Sequence, residues 1–294
     1  MFSMAVITDE VSQDLDVAIK LAVAFDLEGV EIRSVWDKPP QELNETDIDQ
    51  IRGKTEEAGL KIFGVAAPFF KCDIDSDEAY REHLEILRKC IHVAQVFGTP
   101  LVRVFAFWKQ APLEAYWDKI IDRYQAPIRM AEGEGMILGL ENEHTTMIRT
   151  GLETRRIIDA LGSPVVRPLW DPGNEVCTDD GEPPYPDGYN HVKQDMYHMH
   201  IKDAVKDGPG GPECVSMGEG DIDYRGHFSD LIESGYDGCV SLETHWRPKP
   251  EQIRKDLLNR PGGSEFSELG EEASRICLQN TLAMLKDLGV ERKN

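Results

Sequence analysis

Apolar and polar positions follow two rhythms along this chain. Short β-rich runs occur at Met4–Thr8, Gly29–Arg33, Lys61–Ala66, Leu101–Phe105, Met136–Glu141, Val165–Trp170, Met196–Ile201 and Gly238–Glu243. Between most of them lie longer stretches with apolar residues at helical spacing. Leu15, Ile19, Ala22 and Val23 share a face after the first run. Asn44, with Asp47 three residues on, reads as the N-cap of the next helix, and Gly59 as its end. Leu84, Leu87, Ile91 and Ala94 line a long helix that stops at Gly98, another covers 113–134 and stops at Gly135, and a closing helix runs over Ser264–Leu288. One strand, loop and crossover helix per unit builds parallel sheet. Eight such units in 294 residues predict a closed (β/α)8 barrel, with residues 1–294 as one domain. A doubly wound open sheet is the alternative, but no Gly-x-Gly-x-x-Gly follows the first run. The Pro/Gly-rich stretches 171–188 and 208–220 each follow a run, which places them on a barrel's C-terminal face, where active-site loops lie.

Charge narrows the function classes. The chain has 54 Asp+Glu against 32 Lys+Arg, a net charge of −22. Such a field repels polyanions, so neither DNA nor RNA is expected as a partner. No apolar run is long enough to span a membrane, so no membrane association is expected. The N-terminus lacks a basic region followed by an apolar one, and the six cysteines form no CxxC pair. Together these predict reduced thiols and a cytoplasmic location.

The chemistry is expected at the strand ends. Glu31, Glu141, Asp171, His200 and Glu243 each stand where an apolar run stops. In a barrel these side chains converge at the top of the axis, where a buried carboxylate must find a cation or donors. One such residue alone is more often a loop anchor. Glu141, Asp171, His200 and Glu243, however, come from four successive strands, and a shared divalent cation satisfies all of them. Three carboxylates and one imidazole suit Mn²⁺, with Mg²⁺, Co²⁺ or Zn²⁺ also possible ions. Arg103, Lys202, His144 and His245 fall on the same face as partners for substrate oxygens, or as ordinary ion-pair and loop residues. Trp36, Phe69, Phe70, Phe107, Trp108 and Trp246 follow strand ends, to stack on a sugar or to pack the rim.

The strings Gly139-Leu140-Glu141-Asn142, Trp170-Asp171-Pro172-Gly173-Asn174, His198-Met199-His200-Ile201-Lys202-Asp203 and Ser241-Leu242-Glu243 stand in order. Together they resemble the sugar phosphate isomerase/epimerase family, the xylose-isomerase-like TIM barrels. Gly218–Tyr224 and Gly29–Arg33 are similar to further segments of that family. The resemblance implies one divalent metal held by Glu141, Asp171, His200 and Glu243. It implies that Glu141 and Glu243 exchange a proton at the carbon beside a sugar carbonyl, through a metal-stabilised enediolate. It also implies a small carbohydrate substrate and a homodimer. His198 would be a fallback ligand or a core residue. The family often has His where Asn174 stands, three residues after the metal-binding Asp, and many epimerases have Arg where Lys206 stands. Asn174 and Lys206 are therefore candidate substrate-binding residues with altered reach, beside His144, Arg103, His245 and Trp108. Related barrels are lyases or dehydratases, which eliminate a group from the same kind of intermediate, and that is the alternative activity. No Gly-rich phosphate cradle is present, which points to an unphosphorylated or keto sugar. Two further classes stand beside these: an abasic-DNA endonuclease, which needs more histidines and a basic face, and a non-catalytic sugar-binding barrel.

Overall fold

A computed structural model describes residues 1–110, 112–248 and 263–290. Residues 111, 249–262 and 291–294 of the single-domain assignment lie outside the described residues. In chain order, β1 (Ser3–Ile7) leads through α1 (Thr8–Val11) and α2 (Leu15–Ala24) to β2 (Gly29–Ile32). There follow α3 (Glu45–Glu57), β3 (Lys61–Phe69), α4 (Asp77–Phe97), β4 (Leu101–Val104), α5 (Leu113–Glu134) and β5 (Ile137–Glu141). Next come α6 (Gly151–Leu161), β6 (Val166–Trp170), α7 (Pro172–Val176), α8 (Tyr189–Val192) and β7 (His198–Ile201). A hairpin of β8 (Asp203–Gly208) and β9 (Gly211–Val215) precedes α9 (Tyr224–Glu233), β10 (Cys239–Leu242) and α10 (Gly270–Asp287). The eight strands β1 to β7 and β10 pair in parallel and close on themselves, β1 lying between β2 and β10. This is the expected (β/α)8 TIM barrel.

Local sequence explains most boundaries. The Asn44 side chain accepts from Asp47 N at 3.0 Å while Asp47 accepts from Asn44 N at 3.0 Å, a reciprocal capping box that starts α3. α4 and α5 stop at Gly98 and Gly135, both in the left-handed region. α2 buries Leu15, Ile19 and Ala22 against the barrel, but Val23 falls off that face and is 52% exposed. β3 runs on to Phe69, three residues beyond its expected end. The hairpin β8–β9 occupies part of the stretch read as loop 208–220; standing outside the barrel, it carries few apolar residues and no strong alternation. α10 begins at Gly270 and not at Ser264 because Ser264 is bonded to Asp37 and Phe266 lies under the Arg33 and Arg247 guanidiniums. All six cysteines are free thiols, and no helix among the described residues is long and apolar enough to cross a membrane.

Candidate metal centre

Register carries the ionisable residues to one level. β10 pairs with β7 so that Ser241 faces His200, and β5 pairs with β6 so that Glu141 faces Leu169, two residues before Asp171. Glu141 ends β5, Asp171 follows β6, His200 lies in β7 and Glu243 follows β10. Each offers one ligand atom, all within 4.8 Å of one another, and all four residues are buried. Asp171 is also the N-cap of α7, its Oδ1 accepting from Asn174 N at 3.1 Å. A Cβ on Gly173 would lie 2.6 Å from Lys202 Cγ, so only glycine lets that lysine pass under α7.

Cations thread between the acids. Lys202 Nζ donates to Asp171 Oδ2 at 2.5 Å and to Glu243 Oε2 at 2.6 Å. Arg33 forks to Asp9, Glu10 and Glu243, with Nη1 2.5 Å from Glu243 Oε1. Arg103 Nη1 stands 3.2 Å from Glu141 Oε2 and 3.7 Å from Glu243 Oε1. His200 Nδ1 lies 3.3 Å from Glu141 Oε1, and its Nε2 lies 3.0 Å from Glu31 Oε2. Asn174 Nδ2 reaches Glu141 Oε1 at 3.3 Å.

The proton affinities follow from this packing. Burial pushes Glu243 up, but Lys202, His245 and Arg33 outweigh it and hold the carboxyl well below its usual range. Burial likewise opposes Glu141, which Arg103 and His200 bring below its usual value. Burial would lower His200, yet Glu31 and Glu141 raise it to about 10. Asp171 goes the other way: burial, with Glu243 and Glu141 adding to it and Lys202 opposing, raises it to about 8.

The residues fit a divalent cation. Glu141 Oε2 is buried and accepts no hydrogen bond, although the Arg103 guanidinium stands 3.2 Å from it. Burial beside Glu141 and Glu243 disfavours ionisation of Asp171, so a further positive charge would be needed to hold all three as carboxylates. Three carboxylates and one imidazole form an oxygen-rich donor set for a hard or borderline dication.

Beside the cluster opens a cavity of about 350 Å³, lined in part by Arg103, Asn174, Lys202, Glu243, His144 and His245. Glu141 and Asp171 are not in its lining but contact lining residues, Glu141 meeting Arg103 and Asn174 and Asp171 meeting Lys202. Thus Arg103, Asn174, His144 and His245 are brought to the site as the sequence suggested. His144 also pairs with Glu143 at 2.9 Å, and His245 with Glu10 at 3.2 Å. Lys206 is not brought there: its ammonium bonds the backbone carbonyls of Thr178 and Asp179, because β8 carries it outward along the hairpin. Trp108 also lies outside the lining, 39% exposed, with Lys71 Nζ 5.8 Å from its ring centroid. Phe69, Phe70 and Phe107 stack on one another as buried core and do not face a sugar. Lys202 is the ion-pair partner of neighbouring carboxylates, one of its two expected roles. Sequence reasoning missed Arg33, Asp9, Glu10 and Lys71. The first three were reachable by the same signal, since ionisable residues directly follow the first two strands.

A family model described as a xylose isomerase-like TIM barrel matches residues 19–259. Among solved structures, the IolI protein with a bound zinc atom superposes with a TM-score of 0.76 at 18% identity, over 97% of this chain and 99% of its own. A D-tagatose 3-epimerase-like protein gives 0.70 at 19% identity, over 98% of this chain and 100% of its own. The probable 3-DHS dehydratase AsbF of petrobactin synthesis from Bacillus anthracis gives 0.70 at 15% identity, over 99% and 100%. At these identities the likeness is one of fold.

Proposed function

The chain belongs to the xylose isomerase-like TIM barrel family, and on that premise we propose that it is a metal-dependent isomerase or epimerase of a keto sugar or related polyol. The observation that carries this reading is the convergence of Glu141, Asp171, His200 and Glu243 within 4.8 Å, beside a cavity that Glu243 itself lines together with Arg103, Asn174 and Lys202. These four residues would hold the ion. When bound, a divalent metal withdraws charge from a substrate carbonyl and acidifies the neighbouring C–H bond. Glu141 and Glu243 then serve as the proton-transferring pair. Both are held ionised at neutral pH by the cations around them, so either can accept a proton. Arg103 and Asn174 meet Glu141 and also line the cavity, where they orient substrate oxygens. Lys202 and His245 line it as further donors. At about 350 Å³ the cavity has room for a molecule of monosaccharide size.

Elimination is a second reading, favoured by Lys202. Its ammonium lines the cavity, where positive charge can stabilise a departing β-oxygen, a step that epimerisation does not need. Incubation with candidate ketoses and cyclitol ketones in D₂O and Mn²⁺ separates the two. Deuterium at the carbon beside the carbonyl without loss of water supports isomerisation or epimerisation. A conjugated enone absorbance supports elimination. Glu141→Gln and Glu243→Gln should each slow the exchange at least about 100-fold, the range of a lost general acid or base. Exchange at the wild-type rate in both variants defeats the proton-transfer assignment.

A further inference from the structure

We propose that Glu31 is the positioning carboxylate of the metal-binding histidine, fixing which ring nitrogen of His200 faces the other ligands. The inference rests on the metal reading above. Glu31 lies on β2, whereas His200 lies on β7, and β1 and β10 stand between those strands around the wall. Their contact therefore crosses the barrel interior and is no by-product of strand pairing. Glu31 and His200 are fully buried, so the pair is sealed from solvent.

One oxygen does the work. Glu31 Oε2 is 3.0 Å from His200 Nε2 and 3.0 Å from His198 Nε2. An ionised carboxylate can only accept, so each Nε2 at that distance carries its proton. Ser241 Oγ, 3.0 Å from His198 Nε2, then shares that ring's proton as a second acceptor. With Nε2 committed to Glu31, the atom that His200 presents upward is Nδ1. It lies 3.3 Å from Glu141 Oε1 and 3.9 Å from Glu243 Oε2, among the candidate ligands. His198 crosses the His200 ring edge-on, with centroids 5.4 Å apart, and holds Glu31 from below. This arrangement is a carboxylate–histidine–metal relay, in which the outer carboxylate selects the tautomer and steadies the ring.

The test uses zinc, which is diamagnetic, on protein labelled with ¹⁵N-histidine. Two-bond ¹H–¹⁵N spectra of the zinc-loaded wild type should show His200 protonated on Nε2 and metallated on Nδ1. Glu31→Leu should bind zinc about 10- to 100-fold more weakly in a chelator competition, with unchanged circular dichroism. If Glu31→Leu does not fold, Glu31→Gln replaces it, with an expected loss of about tenfold. Failure of the wild type to bind zinc overturns the metal reading itself. Zinc bound through His200 Nε2, or a folded Glu31 variant with wild-type affinity, overturns the role of Glu31 and leaves the metal reading standing.

Discussion

At the scale of single residues, the site is a set of anions packed more closely than water would allow. Arg33 is shared by three of them. Its guanidinium meets Asp9, Glu10 and Glu243 at 2.9, 2.6 and 2.5 Å, and it is only 4% exposed. Arg33→Met leaves three buried carboxylates short of charge and should cost about 3–5 kcal/mol, read from denaturant midpoints. A loss below about 1 kcal/mol would mean that water or a shifted Arg247 replaces it. Glu175 offers a pH test away from the ligands. It is a buried residue of α7 that accepts from Gly151 N at 3.0 Å, and burial raises its carboxyl to about 7. The folded state then keeps a proton that the unfolded state sheds near its ordinary value of 4.5. Its contribution is fully present below that value, declines as pH rises, and is gone above about 7. Glu175→Gln should therefore flatten the fall in stability between about pH 5 and 7, measured by thermal melts across that range. An unchanged slope would mean that Glu175 ionises normally in the fold. Sequence showed Glu141, Asp171, His200 and Glu243 because each follows an apolar run. It could not show that Arg33 reaches Glu243, since 210 residues separate them.

At the scale of elements, the site depends on two features that periodicity did not capture. One is the hairpin β8–β9, whose residues Gly210 to Cys214, from the turn down β9, form one wall of the cavity. Its base is tied down by Asp203, which accepts from Ala204 N, Gly218 N and Gly220 N at 2.8–3.0 Å. Asp203→Ala removes all three bonds. We expect faster hydrogen exchange confined to 203–220, and a raised KM with a smaller effect on kcat, because the hairpin shapes the cavity but holds no predicted ligand. Protection equal to wild type would mean that Asp203 does not hold the hairpin in place. The other feature is the turn before α10, where Ser267 Oγ donates to Asp9 O at 2.7 Å and Phe266 stacks under Arg33. It ties the segment before α10 to α1. The hairpin was read as loop because its strands bury little apolar surface and so lack a clear period-two signal. The eight barrel strands were legible because each is buried on both faces, which demands an unbroken apolar run.

At the scale of the whole molecule, the four candidate ligands belong to β5, β6, β7 and β10, half of the barrel wall. A shared ion would clamp that half, so metal should couple to global stability. Protein purified without chelator should contain about one divalent ion per chain by elemental analysis. Chelation should lower the melting temperature by several degrees, since an ion at 100 times its Kd adds about 2.7 kcal/mol to folding. Equal melting with and without chelator, at full metal content, would place the ion elsewhere. The net charge of −22 is a whole-molecule property with little bearing on the reaction. The sequence by itself determined the barrel, its eight strand positions and the four residues predicted to hold a metal. Each of those rests on a local rule: buried strands are apolar, and an ionisable residue at a strand end points to the barrel mouth. Only the tertiary structure decided that Lys202 bridges Asp171 and Glu243, that Arg33 joins β2 to Glu243, that Lys206 turns outward, and that Glu31 stands under His200. These are contacts between residues far apart in the chain, fixed by barrel closure and register, and no local pattern encodes them.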